Sequence, residues 1–450
     1  MATQVTKPTT IKLSLELWKE AQHLMPGGTQ LLGRRAQLYA YGVTPILAER
    51  AEGAYFWDVD GNRYLDTSMS LGAVLLGYCD PEVETAVDEQ RKKGTIFPLL
   101  HPIEIEMARL VTEVVPCAEM VRFGKSGGEA DAVAVRIARA FTARDKVAFC
   151  GYHGWHDWYI SANLADPSSL ESHLLPGVDA RGIPKALLGT SIPFEYNNID
   201  YLKRVFDENK NQIACVIMEA SRSYLPHEGY LAKVKDLTHE NGALLIFDEV
   251  VTGFRLSLGG AQQYYGVTPD LATFGKAIAN GYALTAIAGR RDVMEFSKEL
   301  FISSLFWDDA STLAAGVATI KKMKREQPAE KIAALGRRYM KEWQRLADCH
   351  KAPAKIVGNP HSSSVVFEPA GSVSPRQLLT LYMQEMAKRG VFTGTGLFNV
   401  SLAHGDKELD ELLGASEGAL AIVGKAVEKG NIREYLVAEE QRPLFARRMV

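Results

Sequence analysis

The sequence predicts an α/β protein whose larger part is built on a mostly parallel β-sheet. From about residue 104, helix-length stretches alternate with short runs that are apolar along their whole length. Strands of this kind are typical of a sheet that helices cover on both faces. The predicted strands are residues 119–123, 146–150, 214–219, 243–250, 271–274 and 285–289. Binding residues are therefore expected just beyond the carboxyl ends of these strands.

The two ends of the chain have a different pattern. Residues 14–25 predict a helix, and residues 53–66 alternate aromatic and polar side chains around Asp60-Gly61, which predicts a β-hairpin. From about residue 325, amphipathic helices alternate with short strands, as in a smaller α+β domain. The predicted parts are an N-terminal segment, a large domain and a small C-terminal domain, at residues 1–65, 66–322 and 323–450.

Composition and charge argue against several classes of protein. The 51 basic and 54 acidic residues nearly cancel, so a nucleic-acid partner is not expected. The N-terminus lacks an apolar core of signal-peptide length, and no apolar run approaches the roughly 20 residues that cross a bilayer. The five cysteines are scattered without Cys-x-x-Cys spacing, which disfavours a disulfide framework or a zinc site. We therefore expect a cytoplasmic protein without a membrane partner or a metal.

The first candidate site is the turn Ser126-Gly127-Gly128, which follows the strand at 119–123 and opens a predicted helix. Such a turn presents backbone N–H groups to an anion, and the helix dipole adds to the attraction. Ser126 is also a preferred capping residue, with Glu129 at capping-box spacing. Phosphate binding and helix capping are therefore both open at this point.

Aromatic and acidic side chains follow the next strands. Tyr152 and His153 come directly after the strand at 146–150, where a ring can stack on a planar ligand, although a packing cluster explains them as well. Asp248 ends an apolar strand, and a desolvated acid there needs a positive partner such as a protonated ring nitrogen. The alternative is that Asp248 caps the next loop or pairs with Arg255. Glu219 ends the preceding strand in the same way.

Lys276 is the only charged residue between Asp270 and Arg290, and it follows another apolar strand. A desolvated lysine has a lowered pKa, which allows its amine to form a Schiff base with a carbonyl. A surface lysine is the alternative. Taken together, the strand ends carry a phosphate turn, a stacking aromatic, a buried acid and a lone lysine. These are the groups that pyridoxal phosphate requires.

With these motifs in this order, the sequence resembles the class III pyridoxal-phosphate-dependent aminotransferases, and within them the glutamate-1-semialdehyde aminomutase branch. The resemblance runs from "MPGGTQ" to "LAHGDKELD", and the block at 242–281 is its most specific part. It implies a fold-type I protein with a mostly parallel seven-stranded sheet and a smaller α+β C-terminal domain. It also implies a homodimer with active sites at the subunit interface.

The resemblance assigns a role to each matching position. It implies that Lys276 is the Schiff-base lysine, that Asp248 pairs with the ring nitrogen and that Tyr152 stacks on the ring. The other implied cofactor contacts are the phosphate turn Ser126, Gly127 and Gly128, His153 beside Tyr152, Glu219 near the ring hydroxyl, and Val250 on the second ring face.

Two departures from the family pattern concern the phosphate. The family turn usually reads Ser-Gly-Thr, so Gly128 lacks one hydroxyl donor. Close relatives also place a threonine, donated across the dimer, in a segment that here reads "SSLFWDDASTLAAG". Ser304, Ser311 and Thr312 are the candidates to replace it, and the sequence does not choose among them.

Other departures concern the reaction. The "SGNP" segment of the aminomutase is absent, and its C-terminal glutamate-bearing loop is replaced by "TGTGLFNVSLAH". A mutase must retain its intermediate, whereas a transaminase must release its product. We therefore predict an aminotransferase that moves an amino group from an amino acid donor to a keto or aldehyde acceptor, by a ping-pong mechanism through a Lys276 internal aldimine. The alternatives are glutamate-1-semialdehyde 2,1-aminomutase, another fold-type I activity, and a catalytically idle binding protein.

Arg34 is the candidate contact for a substrate carboxylate. It is one of two adjacent arginines in a loop where this branch often places such contacts, and a guanidinium matches a carboxylate bidentately. A solvated loop arginine is the equally weighted alternative.

Overall fold

The computed structural model describes residues 10–174, 176–221 and 225–445. The strands are β1 Ala48–Glu52, β2 Tyr55–Asp58, β3 Arg63–Asp66, β4 Met120–Gly124, β5 Lys146–Cys150, β6 Ser191–Pro193, β7 Ile213–Met218, β8 Leu244–Glu249, β9 Leu271–Phe274, β10 Thr285–Gly289, β11 Ala354–Asn359, β12 Ser362–Phe367, β13 Val391–Phe392 and β14 Leu397–Asn399.

The helices are α1 Lys12–Leu24, α2 Met69–Gly72, α3 Pro81–Arg91, α4 Pro102–Val114, α5 Gly127–Thr142, α6 Asp157–Ile160, α7 Ala162–Ala165, α8 Ile199–Glu208, α9 Tyr230–Glu240, α10 Gly260–Tyr265, α11 Arg291–Phe296, α12 Ala310–Glu326, α13 Pro328–Cys349, α14 Pro375–Ala387 and α15 Asp406–Glu428. Short 3-10 helices lie at Pro26–Gly28, Leu32–Arg34, Ala36–Leu38, Lys185–Leu187, Lys276–Ala279, Ser297–Glu299, Leu305–Asp308 and Ile432–Glu434. Among the described residues, no helix is long and apolar enough to cross a membrane.

The chain forms two compact units. Unit 1 comprises the described residues up to Asp80 together with Glu330–Leu444, and unit 2 comprises the residues from Pro81 to Ala329 together with Phe445. The three parts that we predicted from the sequence, with boundaries at residues 65 and 322, stay a prediction.

Unit 2 contains the seven-stranded sheet, in the order β4-β10-β9-β8-β7-β5-β6. The pairs β5·β6, β5·β7, β7·β8 and β8·β9 are parallel, whereas β10 runs antiparallel to both β4 and β9. The predicted mostly parallel sheet is confirmed. The sequence did not predict β6, because a three-residue strand that ends in a proline gives little apolar signal.

Alternating side chains of the central strands pack on two different sets of helices. Leu244 and Ile246 of β8 lie in the core with the inward residues of α5. Leu245 and Phe247 lie in the opposite core, with residues of α8 and α9. Because side chains alternate along a strand, the next residue on the α5 side of β8 is Asp248. The apolar strand therefore delivers an acid to the end of the α5 core.

Unit 1 is built on two smaller sheets. The first has the order β1-β2-β3-β13, and the second has the order β11-β12-β14. The predicted hairpin is confirmed, since β2 pairs antiparallel with β3 around Gly61, whose φ of 85° suits a glycine. The predicted helix at 14–25 is observed as α1, which begins two residues earlier and ends one residue earlier.

The close approach of β9 and β10 gives a test of the fold. A Cβ on Gly289 would lie 2.5 Å from the carbonyl oxygen of Asp270 and 2.4 Å from Cδ2 of Leu271. Gly289→Ala should therefore lower the free energy of unfolding by about 1–3 kcal/mol through overpacking. Gly414→Ala is the control, because Gly414 is exposed in α15 with no atom within 4 Å of its added Cβ. It should raise stability by about 0.5–1 kcal/mol in urea unfolding. Equal stability of the two variants would contradict this packing.

Candidate active site

The candidate residues follow neighbouring strands at one edge of the sheet. Met218 of β7 pairs with both Cys150 of β5 and Phe247 of β8, and Asp248 pairs with Thr273 of β9. The carboxyl ends of these parallel strands therefore lie side by side. The predicted residues that follow them along this edge are Tyr152 and His153, Glu219, Asp248 and Lys276. The Ser126 turn follows β4, whose carboxyl end reaches the same edge.

Asp248 and His153 form a buried hydrogen bond. His153 Nδ1 lies 2.8 Å from Asp248 Oδ2, and the two side chains are 0% and 5% exposed. The other carboxylate oxygen of Asp248 accepts a hydrogen bond from the Val250 backbone N–H at 3.0 Å. The side chain that hydrogen-bonds to Asp248 is thus the imidazole of His153. His153, which the sequence placed beside the stacking aromatic, packs instead on Trp158 at a ring distance of 6.2 Å.

Asp131 belongs to the same cluster, and the sequence analysis missed it. Asp131 lies on α5, is 1% exposed, and accepts a hydrogen bond from the Thr273 hydroxyl at 2.6 Å. Burial and the neighbouring carboxyl group of Asp248 raise the pKa of Asp131 well above its usual range. The missed signal was its helical position, since Asp131 is followed at i+3 and i+4 by the buried Ala134 and Val135.

The ligand atoms of Asp131, His153 and Asp248 lie within 4.8 Å of one another, a grouping that could hold a metal ion. The short contact instead joins His153 and Asp248 in a hydrogen bond, and Asp131 bonds to the Thr273 hydroxyl. A buried carboxylate backed by a neutral donor suits a cationic ring nitrogen better than an ion that needs open coordination positions.

Tyr152 and Glu219 are joined through the backbone. The Tyr152 N–H donates to Glu219 Oε2 at 3.0 Å, and Glu219 is 5% exposed. A Cβ on the preceding residue, Gly151, would lie 2.7 Å from Glu219 Oε2, so only glycine permits this approach. The Tyr152 ring is 40% exposed and meets Tyr159 edge-on, so one face of the ring remains accessible.

Lys276 lies directly after β9 and begins the 3-10 helix Lys276–Ala279. Its side chain is half-buried between the buried residues Gly275 and Ala277, so it is more accessible than the sequence analysis expected. The φ of Lys276 is 46°, a left-handed conformation that is uncommon for residues other than glycine. Strain of this kind persists where the surrounding structure enforces it, and it clusters at functional sites.

The Ser126-Gly127-Gly128 turn is closely packed, so a side chain at either glycine would require its neighbours to move. A Cβ on Gly127 would lie 3.0 Å from Val250 Cγ1. A Cβ on Gly128 would lie 3.1 Å from both Gly154 Cα and His156 Nδ1. This leaves a cradle of backbone N–H groups at the start of α5, which suits a phosphate. The capping interpretation also holds, since Glu129 Oε2 accepts from the Ser126 N–H at 3.3 Å.

His156 packs beside Gly128, with its Nδ1 3.1 Å from the position of a Cβ added to that glycine. Its Nδ1 is buried and has no hydrogen-bond partner among the described residues. Burial lowers the pKa of His156, which favours the neutral imidazole. A neutral imidazole carries one N–H donor, so it can replace a hydroxyl as a hydrogen-bonding group.

The three candidates for the cross-subunit contact differ in their surroundings. The Thr312 hydroxyl accepts a hydrogen bond from Lys125 Nζ at 2.7 Å, next to Ser126 in the same chain. The Ser311 hydroxyl donates to Asp309 Oδ1 at 2.6 Å, and Ser304 is exposed. Burial lowers the pKa of Lys125. A role for any of the three across a subunit interface stays a prediction.

Arg34 belongs to unit 1, where it is exposed at the end of the 3-10 helix Leu32–Arg34. The neighbouring Arg35 packs its guanidinium over Gly27, whose added Cβ would lie 2.7 Å from Arg35 Nη2. Of the two arginines, Arg34 is therefore the one available to a ligand, and its contact with substrate stays a prediction.

Comparisons with known proteins show the family of the chain. A family model described as "Aminotransferase class-III" matches residues 38–413. The 3-aminobutyryl-CoA aminotransferase of Cloacimonas acidaminovorans is 33% identical over 421 residues, which cover 92% of this chain and 97% of that protein. The glutamate-1-semialdehyde 2,1-aminomutase of Methanocaldococcus jannaschii is 35% identical over 423 residues, which cover 90% and 97%.

Solved structures give the same result. The FumI protein of Sphingopyxis sp. MTA144, in its pyridoxal phosphate internal aldimine form, superimposes with a TM-score of 0.84 at 25% identity, covering 95% of this chain and 98% of that one. A transaminase with bound pyridoxal phosphate gives a TM-score of 0.83 at 26% identity, with coverages of 94% and 99%. The chain belongs to the class III aminotransferases and is a fold-type I, pyridoxal-phosphate-dependent transaminase.

Proposed function

We propose that the protein transfers an amino group from an amino acid donor to a keto or aldehyde acceptor, in two half-reactions at the site around Asp248 and Lys276. The observation that carries this proposal is the buried Asp248, held by His153 at 2.8 Å, on the strand adjacent to β9, which Lys276 follows. A desolvated carboxylate beside an accessible lysine is the pair that the chemistry requires.

The residues present fit the cofactor. The N–H groups of the Ser126-Gly127-Gly128 turn would hold the phosphate, and Tyr152 and Val250 would contact the two faces of the ring. When bound, pyridoxal phosphate supplies an aldehyde for amines and a pyridine ring that accepts electrons. Asp248 would keep the proton on the ring nitrogen, because a buried carboxylate favours a positive charge beside it.

Lys276 performs the proton transfers. Its Nζ would hold the cofactor and, once free, would move the proton at the carbon that bears the amino group. Its half-buried setting suits both tasks, since the amine is reachable by substrate and partly shielded from water. Glu219 would orient Tyr152 through the backbone hydrogen bond between them.

The aminomutase is the second candidate, because a protein of that name is 35% identical to this chain. The segment at 393–404 favours a transaminase, since it replaces the glutamate-bearing loop of the mutase. A panel of glutamate, other amino acids and 3-aminobutyryl-CoA as donors, with keto acids and aldehydes as acceptors, separates the two. Release of the donor's carbonyl product supports transamination. Isomerisation of glutamate-1-semialdehyde without any such release would overturn it.

We further propose that the protein acts as a homodimer in the cytoplasm. Large apolar side chains are exposed on unit 2, namely Leu99, Leu100, Phe301, Leu305 and Phe306, with exposures between 61% and 87%. Groups of exposed apolar side chains of this kind mark surfaces where protein subunits associate. The scattered cysteines, without paired spacing, support a reducing compartment.

The dimer can be tested at its most exposed apolar residue. Phe301→Glu places a charge where the proposed interface excludes water. It should therefore raise the dissociation constant of the dimer at least about tenfold. Leu188→Glu, at a 59% exposed leucine away from the patch, is the control and should leave the mass unchanged. Sedimentation velocity measures both. A Phe301→Glu protein that stays fully dimeric would refute the assigned surface.

The role of Lys276 predicts a loss of proton transfer. Lys276→Ala should slow the half-reaction with an amino donor by about 10²–10⁴-fold, the range for removal of a general base. Borohydride reduction should attach the cofactor covalently to the wild-type chain and not to the variant. Mass spectrometry detects the added mass. Lys298→Ala, an exposed lysine in unit 2, should behave as wild type. Undiminished labelling of Lys276→Ala would assign the role to another lysine.

The packing of Gly128 against His156 predicts that the family's threonine does not fit here. Gly128→Thr should weaken pyridoxal phosphate binding by about 10-fold, since overpacking costs about 1–3 kcal/mol. Combining it with His156→Ala should recover part of the loss, because the imidazole lies 3.1 Å from the added Cβ. Titration of the cofactor's absorbance gives the dissociation constants, with His156→Ala alone as the control. Strictly additive losses would show that the two residues do not share this space.

A further inference from the structure

The cluster behind Asp248 contains an acid that the proposed reaction does not use. Asp131 on α5 meets Asp248 because both occupy the inner side of the α5 core, one from the helix and one from β8. The groups that face Asp131 come from four elements. They are Asp248 on β8, Thr273 on β9, Glu219 after β7 and, through Asp248, His153 after β5.

The hydrogen bonds of this cluster fix where the protons lie. Asp248 Oδ1 accepts from the Val250 N–H, and Asp248 Oδ2 accepts from His153 Nδ1. Asp131 Oδ1 accepts from the Thr273 hydroxyl. A carboxyl oxygen of Asp131 lies within 4.8 Å of one of Asp248, and two buried carboxyl groups this close together are stable only if one of them carries a proton. Asp248 has the contacts of a carboxylate, so the proton belongs to Asp131.

We propose that Asp131 is a positioning residue, a neutral carboxylic acid whose hydroxyl donates to Asp248 and leaves Asp248 as the single carboxylate facing the ring nitrogen. The proposal rests on the proposed function, in which Asp248 pairs with that nitrogen. It assigns Asp131 two tasks. Its hydroxyl holds the Asp248 carboxylate in place, and its neutrality limits the cluster to one negative charge for one cation.

The charge balance explains why a neutral acid is needed. A second carboxylate at 1% exposure would be an unpaired buried charge, which is costly unless a partner neutralises it. It would also repel Asp248 and Glu219. Burial and Asp248 accordingly raise the pKa of Asp131. The neutral form therefore persists where an ordinary aspartic acid is ionised.

The sign of the pH dependence follows from linkage. In the unfolded chain Asp131 loses its proton near the ordinary value of about 3.9, whereas in the folded chain it keeps the proton to higher pH. Between these values the folded state binds one more proton, so rising pH removes stability. In that pH window, ionisation of Asp131 therefore lowers the folding equilibrium constant about tenfold for each unit of rising pH.

The test compares Asp131→Asn with Asp131→Leu and wild type. An asparagine has the same shape, accepts from Thr273 with its oxygen and donates to Asp248 with its amide, but cannot ionise. A leucine removes the donor. We expect the pyridoxal phosphate dissociation constant of Asp131→Asn to stay within about threefold of wild type, and that of Asp131→Leu to rise at least about tenfold, as loss of a hydrogen bond to a charged group implies.

The second readout uses the chain without cofactor. Urea unfolding at matched protein concentration from pH 5 to pH 8 should show wild type losing stability relative to Asp131→Asn, by about tenfold per pH unit until Asp131 ionises in the folded state. The exposed Asp207→Asn is the matched control and should run parallel to wild type. Parallel curves for wild type and Asp131→Asn, or equal loss of cofactor in Asp131→Asn and Asp131→Leu, would overturn the proposal. Failure of the proposed function would appear separately, as a wild-type protein that binds no cofactor.

Discussion

The buried hydrogen bond between His153 and Asp248 is the contact on which the site depends. A carboxylate that is 4% exposed loses its hydration, so it stays charged only if donors replace the water. The imidazole and the Val250 N–H supply them, at 2.8 Å and 3.0 Å. Because His153 is itself 0% exposed and packed on Trp158, the imidazole has little freedom to leave the carboxylate. The Asp248 side chain is thereby held in place by two hydrogen bonds.

The alternation of side chains along the strands explains how this contact arises. One layer of apolar side chains from four strands packs against α5, and it consists of Phe149, Ile217, Ile246 and Leu271. Two residues further along each strand, the same face carries Gly151, Glu219, Asp248 and Thr273. The apolar layer keeps water away on the core side. The layer that carries the two acids lies next to it, at the carboxyl ends of the strands. The packing that builds the core therefore also strengthens the electrostatic interactions of the acids at its edge, because water is excluded there.

This periodicity also sets what the sequence could predict. Runs that are apolar along their whole length predicted six strands of the sheet. The residues at or after the ends of these strands included the candidates Tyr152, Asp248 and Lys276. Asp131 was missed because its partner lies on a strand more than a hundred residues away, so no local pattern joins the two. The direction of His153 was missed for a similar reason. A residue next to a strand end can face the ligand or the core, and only the packing of Trp158 and Tyr159 decides between them.

The cradle at the start of α5 shows how the site tolerates a departure from its family. Gly128 removes a side chain, and the space is taken from the other side by His156, whose loop approaches so closely that Gly154 and Gly128 nearly touch. A Cβ on Gly154 would lie 2.6 Å from Gly128 Cα, and its φ of 89° independently requires glycine. The glycine at residue 128 and the close loop therefore depend on each other. A side chain at residue 128 would crowd Gly154 and His156, in the loop that carries His153.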